Sequence, residues 1–93
     1  MLNISYDPAK NQRNIEERGL SFDQAINFDF DTAWIWQDVR KIYSEVRWSS
    51  LGFLNGQLHA LVFTETVDGI RIISLRKANP REVRKYEKHS SQS

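Results

Sequence analysis

The chain contains no cysteine, which excludes disulfides and thiolate metal sites together. It has two histidines, His59 and His89, and so wide a separation makes no zinc ligand set. Carboxylates are plentiful, but no spacing among them resembles a metal site, so neither metal nor cofactor is expected. Glycine is scarce, at four residues. There is no Gly-rich phosphate loop, no Walker motif and no G-x-S-x-G elbow. No stretch approaches the roughly 20 apolar residues that cross a bilayer. The start, Met1 to Asp7, has no basic region leading into an apolar run, so no signal peptide is expected. These absences point to a protein of the cytoplasm with no membrane partner.

A length of 93 residues allows one domain, read here as residues 1–89 with a disordered tail at 90–93. A hydrophobic content of 40% with 27% charged residues fits a globular chain. The net charge of +1 hides an asymmetry. Residues 71–93 carry seven basic against two acidic groups, or +5, and the first seventy carry six against ten, or −4. A basic segment of this kind suits a bound polyanion, although a solvated basic helix has the same composition.

The pattern along the chain gives helices, then strands, then a helix. Asn3 to Tyr6 reads as a short strand. Asp7-Pro8 starts a helix, with Asp7 as cap and Pro8 first, and Gly19 ends it. Ser21-Phe22-Asp23-Gln24 reads as a capping box for a second helix ending near Phe28. Strands are expected at 33–37, 45–54, 57–66 and 70–77, with tight turns at Asn55-Gly56 and Asp68-Gly69. Asp38 to Tyr43 is a polar connection. Asn79-Pro80-Arg81-Glu82 opens a closing helix to about His89. This is an α+β chain: two N-terminal helices and a C-terminal helix on an antiparallel sheet of four strands, or five.

The candidate chemistry centres on Ile70 to Tyr86. Arginine offers a planar fork of donors that matches phosphate oxygens and does not titrate away. Arg47, Arg71 and Arg76 all fall on expected strands. Arg71 and Arg76 should face opposite ways on a regular strand, because five is an odd step. One cleft can use both only if the strand twists or bulges, or if one of them pairs internally; Glu65 is a partner for Arg71. Tyr86 lies one helical turn from Glu82 and is either a proton-transfer group tuned by nearby cations or the core anchor of its helix. Glu45 shares a strand face with Arg47, either as a general base or as its ion-pair partner. His59 reads as packed. Trp34, Trp36 and Trp48 read as core, with base stacking as the alternative.

The order of motifs resembles the BrnT-type toxins of bacterial type II toxin–antitoxin pairs. Tyr6-Asp7-Pro8-Ala9-Lys10 with Asn14, Gly19-Leu20-Ser21-Phe22 with Ala25, Glu45-Val46-Arg47, Leu51-Gly52, Arg71-Ile72-Ile73-Ser74, Arg76-Lys77-Ala78, Glu82 and Tyr86 carry it. One departure is Glu17-Arg18-Gly19, where such proteins usually have Lys-His-Gly; Arg18 can hold phosphate but cannot take over proton transfer from a histidine. The resemblance implies a RelE-like fold, metal-independent RNA cleavage that inhibits translation, and a small ribbon-helix-helix antitoxin. That antitoxin would carry the toxin to operator DNA. On this reading Arg76, Arg71, Tyr86 and Glu45 are catalytic candidates, Arg47, Lys77 and Lys10 bind RNA phosphate, and Arg81, Arg84 and Lys85 meet the antitoxin. The alternative is a module that binds RNA or its partner without cutting.

Overall fold

The computed structural model describes residues 2–91. Five strands, β1 (Asn3–Tyr6), β2 (Trp34–Gln37), β3 (Trp48–Leu54), β4 (Gln57–Glu65) and β5 (Gly69–Lys77), form one sheet in the order β1-β5-β4-β3-β2. Helix α1 (Pro8–Arg18), a 3-10 helix (Phe22–Asn27) and helix α2 (Pro80–Ser91) complete the chain. The α+β class is as expected. The sheet is mixed, however, because β1 runs parallel to β5. After β1 the chain crosses to the far edge of the sheet and returns through four antiparallel strands, β2 to β5, which brings β5 beside β1, a pairing that no local turn signal marks.

The turn and cap chemistry explains most boundaries. Asn55 and Gly56 both adopt positive φ, 51° and 83°, the backbone of a two-residue hairpin turn. The β4–β5 turn is built on Val67 and Asp68, closed by Thr66 N–H donating to the Gly69 carbonyl at 2.9 Å; Gly69 is already strand. Asp7 accepts from Ala9 N–H at 2.9 Å and Gly19 ends α1 at φ 64°. Ser21 caps through Asp23 N–H, but Gln24 turns to Asn27, and the second helix tightens to a 3-10 turn. Asn79 and Glu82 form a closed capping box, with bonds of 2.8 and 3.0 Å. Helix α2 continues through Ser90 and Ser91, beyond the expected end at His89; residues 92–93 of the expected tail lie outside the described residues.

Each face of the sheet has its own core. On one, Phe22, Ala25 and Phe28 pack on Leu54, Leu61, Phe63, Ile70, Ile72 and Leu75. On the other, Tyr86 and Val83 of α2 pack on Leu51, Leu58 and Ala60. Helix α1 buries no side chain. It is tied on by hydrogen bonds instead: Asn14 donates to the carbonyls of Leu75 and Leu20 at 3.0 and 2.8 Å, and Asn11 accepts from Phe22 N–H at 2.7 Å.

One irregularity in the sheet controls the site. Val62 pairs with Ser74 but Phe63 pairs with Ile72, so Ile73 is an extra residue in β5. A bulge of this kind shifts the in–out alternation by one. Arg71, Ser74 and Arg76 therefore stand opposite Thr64, Val62 and Ala60, which alternate along a regular stretch and share one face. The odd step between Arg71 and Arg76 is cancelled.

The β1 docking is a close backbone approach. A Cβ on Gly69 would overlap the Asn3 carbonyl oxygen, and backbone cannot swing aside as a side chain can. Gly69→Ala should lower stability by about 1–3 kcal/mol, measured as a reduced urea midpoint, whereas Gln57→Ala at an exposed strand position should change it by less than about 0.5 kcal/mol.

Candidate functional site

The face of the sheet that carries Arg76 is covered by α2 at one end only. Beyond α2, the segment 38–47 folds over the open part. Asp38, Arg40, Tyr43 and Arg47 from that segment, with Ala60, Val62, Ile73, Ser74 and Arg76 from β4 and β5, line a cleft of about 300 Å³. It continues into a cavity of about 380 Å³ that also reaches Trp36, Ser49, Glu82 and Lys85. Across Ser74, a smaller groove of about 180 Å³ is lined by Lys10, Arg13, Asn14, Glu17 and Arg18 of α1, three cations against one carboxylate. Ser74 and Ile73 border both sides. The bulge is thus the floor of one basic trough, with α1 cations on one bank and Arg47, Arg76 and Lys85 on the other.

Arg76 is held by Glu82. Nη1 donates to Oε1 at 2.7 Å and Nη2 to Oε2 at 2.9 Å, with a longer bond from Nη1 to the Lys77 carbonyl. These bonds use three of five guanidinium donors and leave the rest for an anion. The guanidinium holds the Glu82 carboxyl below the usual range, and the carboxylate raises the pKa of Arg76. Both side chains stay partly open to solvent, at 35% and 22%, so the pair is a clamp at the mouth of the cleft and not a sealed core bridge. The internal pairing expected for Arg71 belongs to Arg76 instead. Arg71 is half-buried and has no side-chain partner among the described residues, and Glu65 accepts from Trp48.

Arg47 and Glu45 lie outside β3, which begins at Trp48. Both belong to the 38–47 segment, whose organiser is Asp38. Asp38 is 6% exposed and accepts from Arg40 Nε and Nη2 at 3.0 and 2.9 Å, from Arg40 N–H, and from the Tyr43 hydroxyl at 3.0 Å. Those donors, Arg40 foremost, depress the Asp38 pKa strongly, and the Asp38 carboxylate in turn raises that of Arg40. The Arg47 guanidinium then stacks over the Tyr43 ring at 4.3 Å, a favourable cation–π geometry. Its Nε is buried with no protein partner. From the sequence Asp38 to Tyr43 reads as a polar connection and Glu45 to Arg47 as the start of a strand; the signal for the folded segment is Asp38 two residues before Arg40, the pattern of an Asp side chain closing its own turn.

The remaining candidates divide. Lys10 and Lys85 line the trough. Lys77 pairs across to His59 on the opposite face from Arg76. Arg81 and Arg84 are exposed on α2. Glu45 faces the surface hollow formed by residues 37–47 and not the Arg76 cleft. Tyr86 is a core anchor, 8% exposed, and its hydroxyl donates to the Thr32 carbonyl at 2.7 Å. His59 is buried against the Gln57 carbonyl, and His89 stacks on Trp34 at 4.2 Å. Among the described residues no three His, Asp or Glu side chains cluster as a metal site, and no helix is long and apolar enough to cross a membrane.

The model of a family described as the ribonuclease toxin BrnT of type II toxin–antitoxin systems matches residues 6–82. The chain belongs to the BrnT toxin family. No curated protein matches the sequence. The family match takes in α1, the 38–47 segment, the bulge, Arg76 and Glu82, and stops short of Tyr86. Membership implies an RNA substrate and an antitoxin partner for a chain whose trough already has the charge for RNA.

The Arg76–Glu82 clamp has a pH signature. The Glu82 pKa is lowered in the folded chain. Its contribution is therefore complete above the ordinary glutamate value and is lost as pH falls through the lowered one. Glu82→Gln keeps an acceptor for Asn79 N–H but removes the charge. It should cost up to about 1 kcal/mol at pH 7, the range for a solvent-screened pair. The gap from wild type, followed by urea unfolding at a series of pH values, should close below about pH 4.

Proposed function

We propose that this chain is a RelE-like endoribonuclease that cuts RNA by in-line attack of the 2′-hydroxyl on the adjacent phosphate, without a metal ion. The observation that carries the reading is the convergence of Arg76, Arg47 and Ser74 in one cleft across the β5 bulge, with Lys10 and Arg18 on the adjoining bank. In the reaction the 2′-oxygen bonds to phosphorus, the bond to the 5′-oxygen breaks, and a 2′,3′-cyclic phosphate and a 5′-hydroxyl result. Charge grows on the non-bridging oxygens. Fixed guanidinium groups stabilise that charge without reorganising. Arg76 and Arg47 take the scissile phosphate. Arg71 stands on the same face but at most about 17 Å further along the strand, so it holds a neighbouring phosphate.

The structure holds the Tyr86 hydroxyl on Thr32 and turns Glu45 elsewhere, which supports a different proton acceptor. Two carboxylates border the cleft: Asp38, whose oxygens are engaged by Arg40 and Tyr43, and Glu82, which Arg76 alone holds from the cleft side. A phosphate that takes over Arg76 releases Glu82, whose pKa then rises towards the ordinary carboxylate value. The freed oxygen can accept the 2′-hydroxyl proton, and water in the open cleft supplies the proton that the departing 5′-oxygen takes up. Arg18, in the family's histidine position, steadies phosphate from the α1 bank. Cleavage of messages in the cytoplasm inhibits translation, and a ribbon-helix-helix antitoxin neutralises the toxin and brings it to operator DNA. Arg81, Arg84 and Lys85 supply a basic rim on α2 for that antitoxin.

A second reading has its own support. Neither histidine reaches the cleft, since His59 is buried on the Gln57 carbonyl and His89 is stacked on Trp34. A module that binds RNA or its partner without cutting needs no proton relay.

Two experiments separate these readings. Purified protein incubated with RNA in EDTA should cleave it, and Arg76→Ala should slow cleavage by roughly 10²-fold or more. Steeply salt-dependent binding with no product supports the binding module, and full activity of Arg76→Ala removes the assignment. Reversing charge at Arg81 and Arg84 together should weaken antitoxin binding at least tenfold by calorimetry; unchanged affinity places the antitoxin elsewhere.

A further inference from the structure

The three tryptophans have different fates. Trp48 packs against the larger core and donates Nε1 to Glu65. Trp34 packs on the α2 core and is covered by the His89 ring, parallel to within 7° at 4.2 Å. Trp36 is left 39% exposed. It lies on the same sheet face as Ser49, its pairing partner across β2 and β3, and it forms a wall of the 380 Å³ cavity that ends at Arg76, Glu82 and Lys85. One edge of the Trp36 ring is braced by Trp34 at 4.9 Å and 47°. An aromatic plane held by an aromatic neighbour, open on the side of an anion-binding cleft, is the arrangement that stacks a nucleobase while cations hold its phosphate. Ser49, on the same face beside it, lines the same cavity, and its hydroxyl has no partner among the described residues. It can donate or accept toward a base edge.

We propose that Trp36 is the platform for the base adjoining the scissile phosphate, with Ser49 at its polar edge and Arg76 and Lys85 on the phosphate. This rests on the reading of the cleft as an RNA site and adds the subsite that selects what enters it. Trp36 touches the base and not the reacting atoms, so its loss acts on binding. A cavity of about 380 Å³ lies within the range for small-molecule sites. A base can turn onto the ring only when it is unpaired, so the substrate segment is single-stranded.

The test uses the full chain and a fluorescently labelled pentanucleotide carrying a 2′-deoxy sugar at every position but the 3′-terminal one, whose ribose has no 3′ phosphate to attack, so that it binds without being cut. A second pentamer lacks the central base but keeps the backbone. Anisotropy titrations should show Trp36→Ala binding the intact pentamer roughly 5- to 100-fold more weakly than wild type. Trp36→Phe should recover most of the loss, and the abasic pentamer should bind wild type and Trp36→Ala alike. Equal losses on both pentamers make Trp36 a structural residue and overturn the proposal, as does an intact-pentamer affinity unmoved by Trp36→Ala. If Arg76→Ala abolishes binding while Trp36→Ala does not, the base subsite falls and the phosphate site stands. If wild type binds neither pentamer, the RNA reading of the cleft falls with it.

Discussion

One extra residue in β5 sets the orientation of everything that matters here. Ile73 has no partner across β4, and its insertion lets two apolar stretches and three polar residues coexist on one strand. Ile70, Ile72 and Leu75 all reach the buried core, although a regular strand would put Leu75 opposite the other two. Arg71, Ser74 and Arg76 consequently gather on the other face. Burying Leu75 at 0% exposure is worth about 1.5–3 kcal/mol, so the core itself holds the register that presents the arginines. The functional face is a by-product of satisfying the hydrophobic one.

Two ion pairs then fix cations that would otherwise swing freely. Glu82 engages Arg76 from the first turn of α2 while closing the capping box with Asn79, so the start of the helix and the aim of the arginine are coupled. Asp38 gathers Arg40 and Tyr43, and Tyr43 supports Arg47. Arginine side chains lose substantial rotamer entropy when they bind. A guanidinium already restrained by a planar bidentate partner has less left to lose, and on the proposed reading a phosphate has only to exchange with Glu82 rather than order a mobile chain. The same exchange provides the carboxylate that the proposed chemistry needs.

Much of this was legible in the residues themselves. Asp7-Pro8, Asn55-Gly56 and Asn79 with Glu82 marked their boundaries because each acts through its own backbone. The apolar alternation found the three central strands. What escaped was set by contacts distant in sequence. The parallel pairing of Asn3–Tyr6 with Gly69 to Ile72 has no local code. The bulge could be named as a condition for using both arginines but not located, since Ile73 is as apolar as its neighbours. Glu45 and Arg47 read as strand because Val46 and Trp48 favour it, yet Asp38 claims the segment for a folded loop. Arg76, expected to be free where its strand runs out, is paired because α2 begins at once and brings Glu82 back to it.

The central claim is that cations from three separate segments address one polyanion across the β5 bulge. The most direct measurement follows arginine Nε–H signals by nuclear magnetic resonance during titration with a non-cleavable single-stranded RNA. The account predicts that Arg18, Arg47, Arg71 and Arg76 shift together with a common affinity, while Arg81 and Arg84 stay in place. Shifts confined to Arg81 and Arg84, or an Arg76 signal unmoved at saturation, would contradict it.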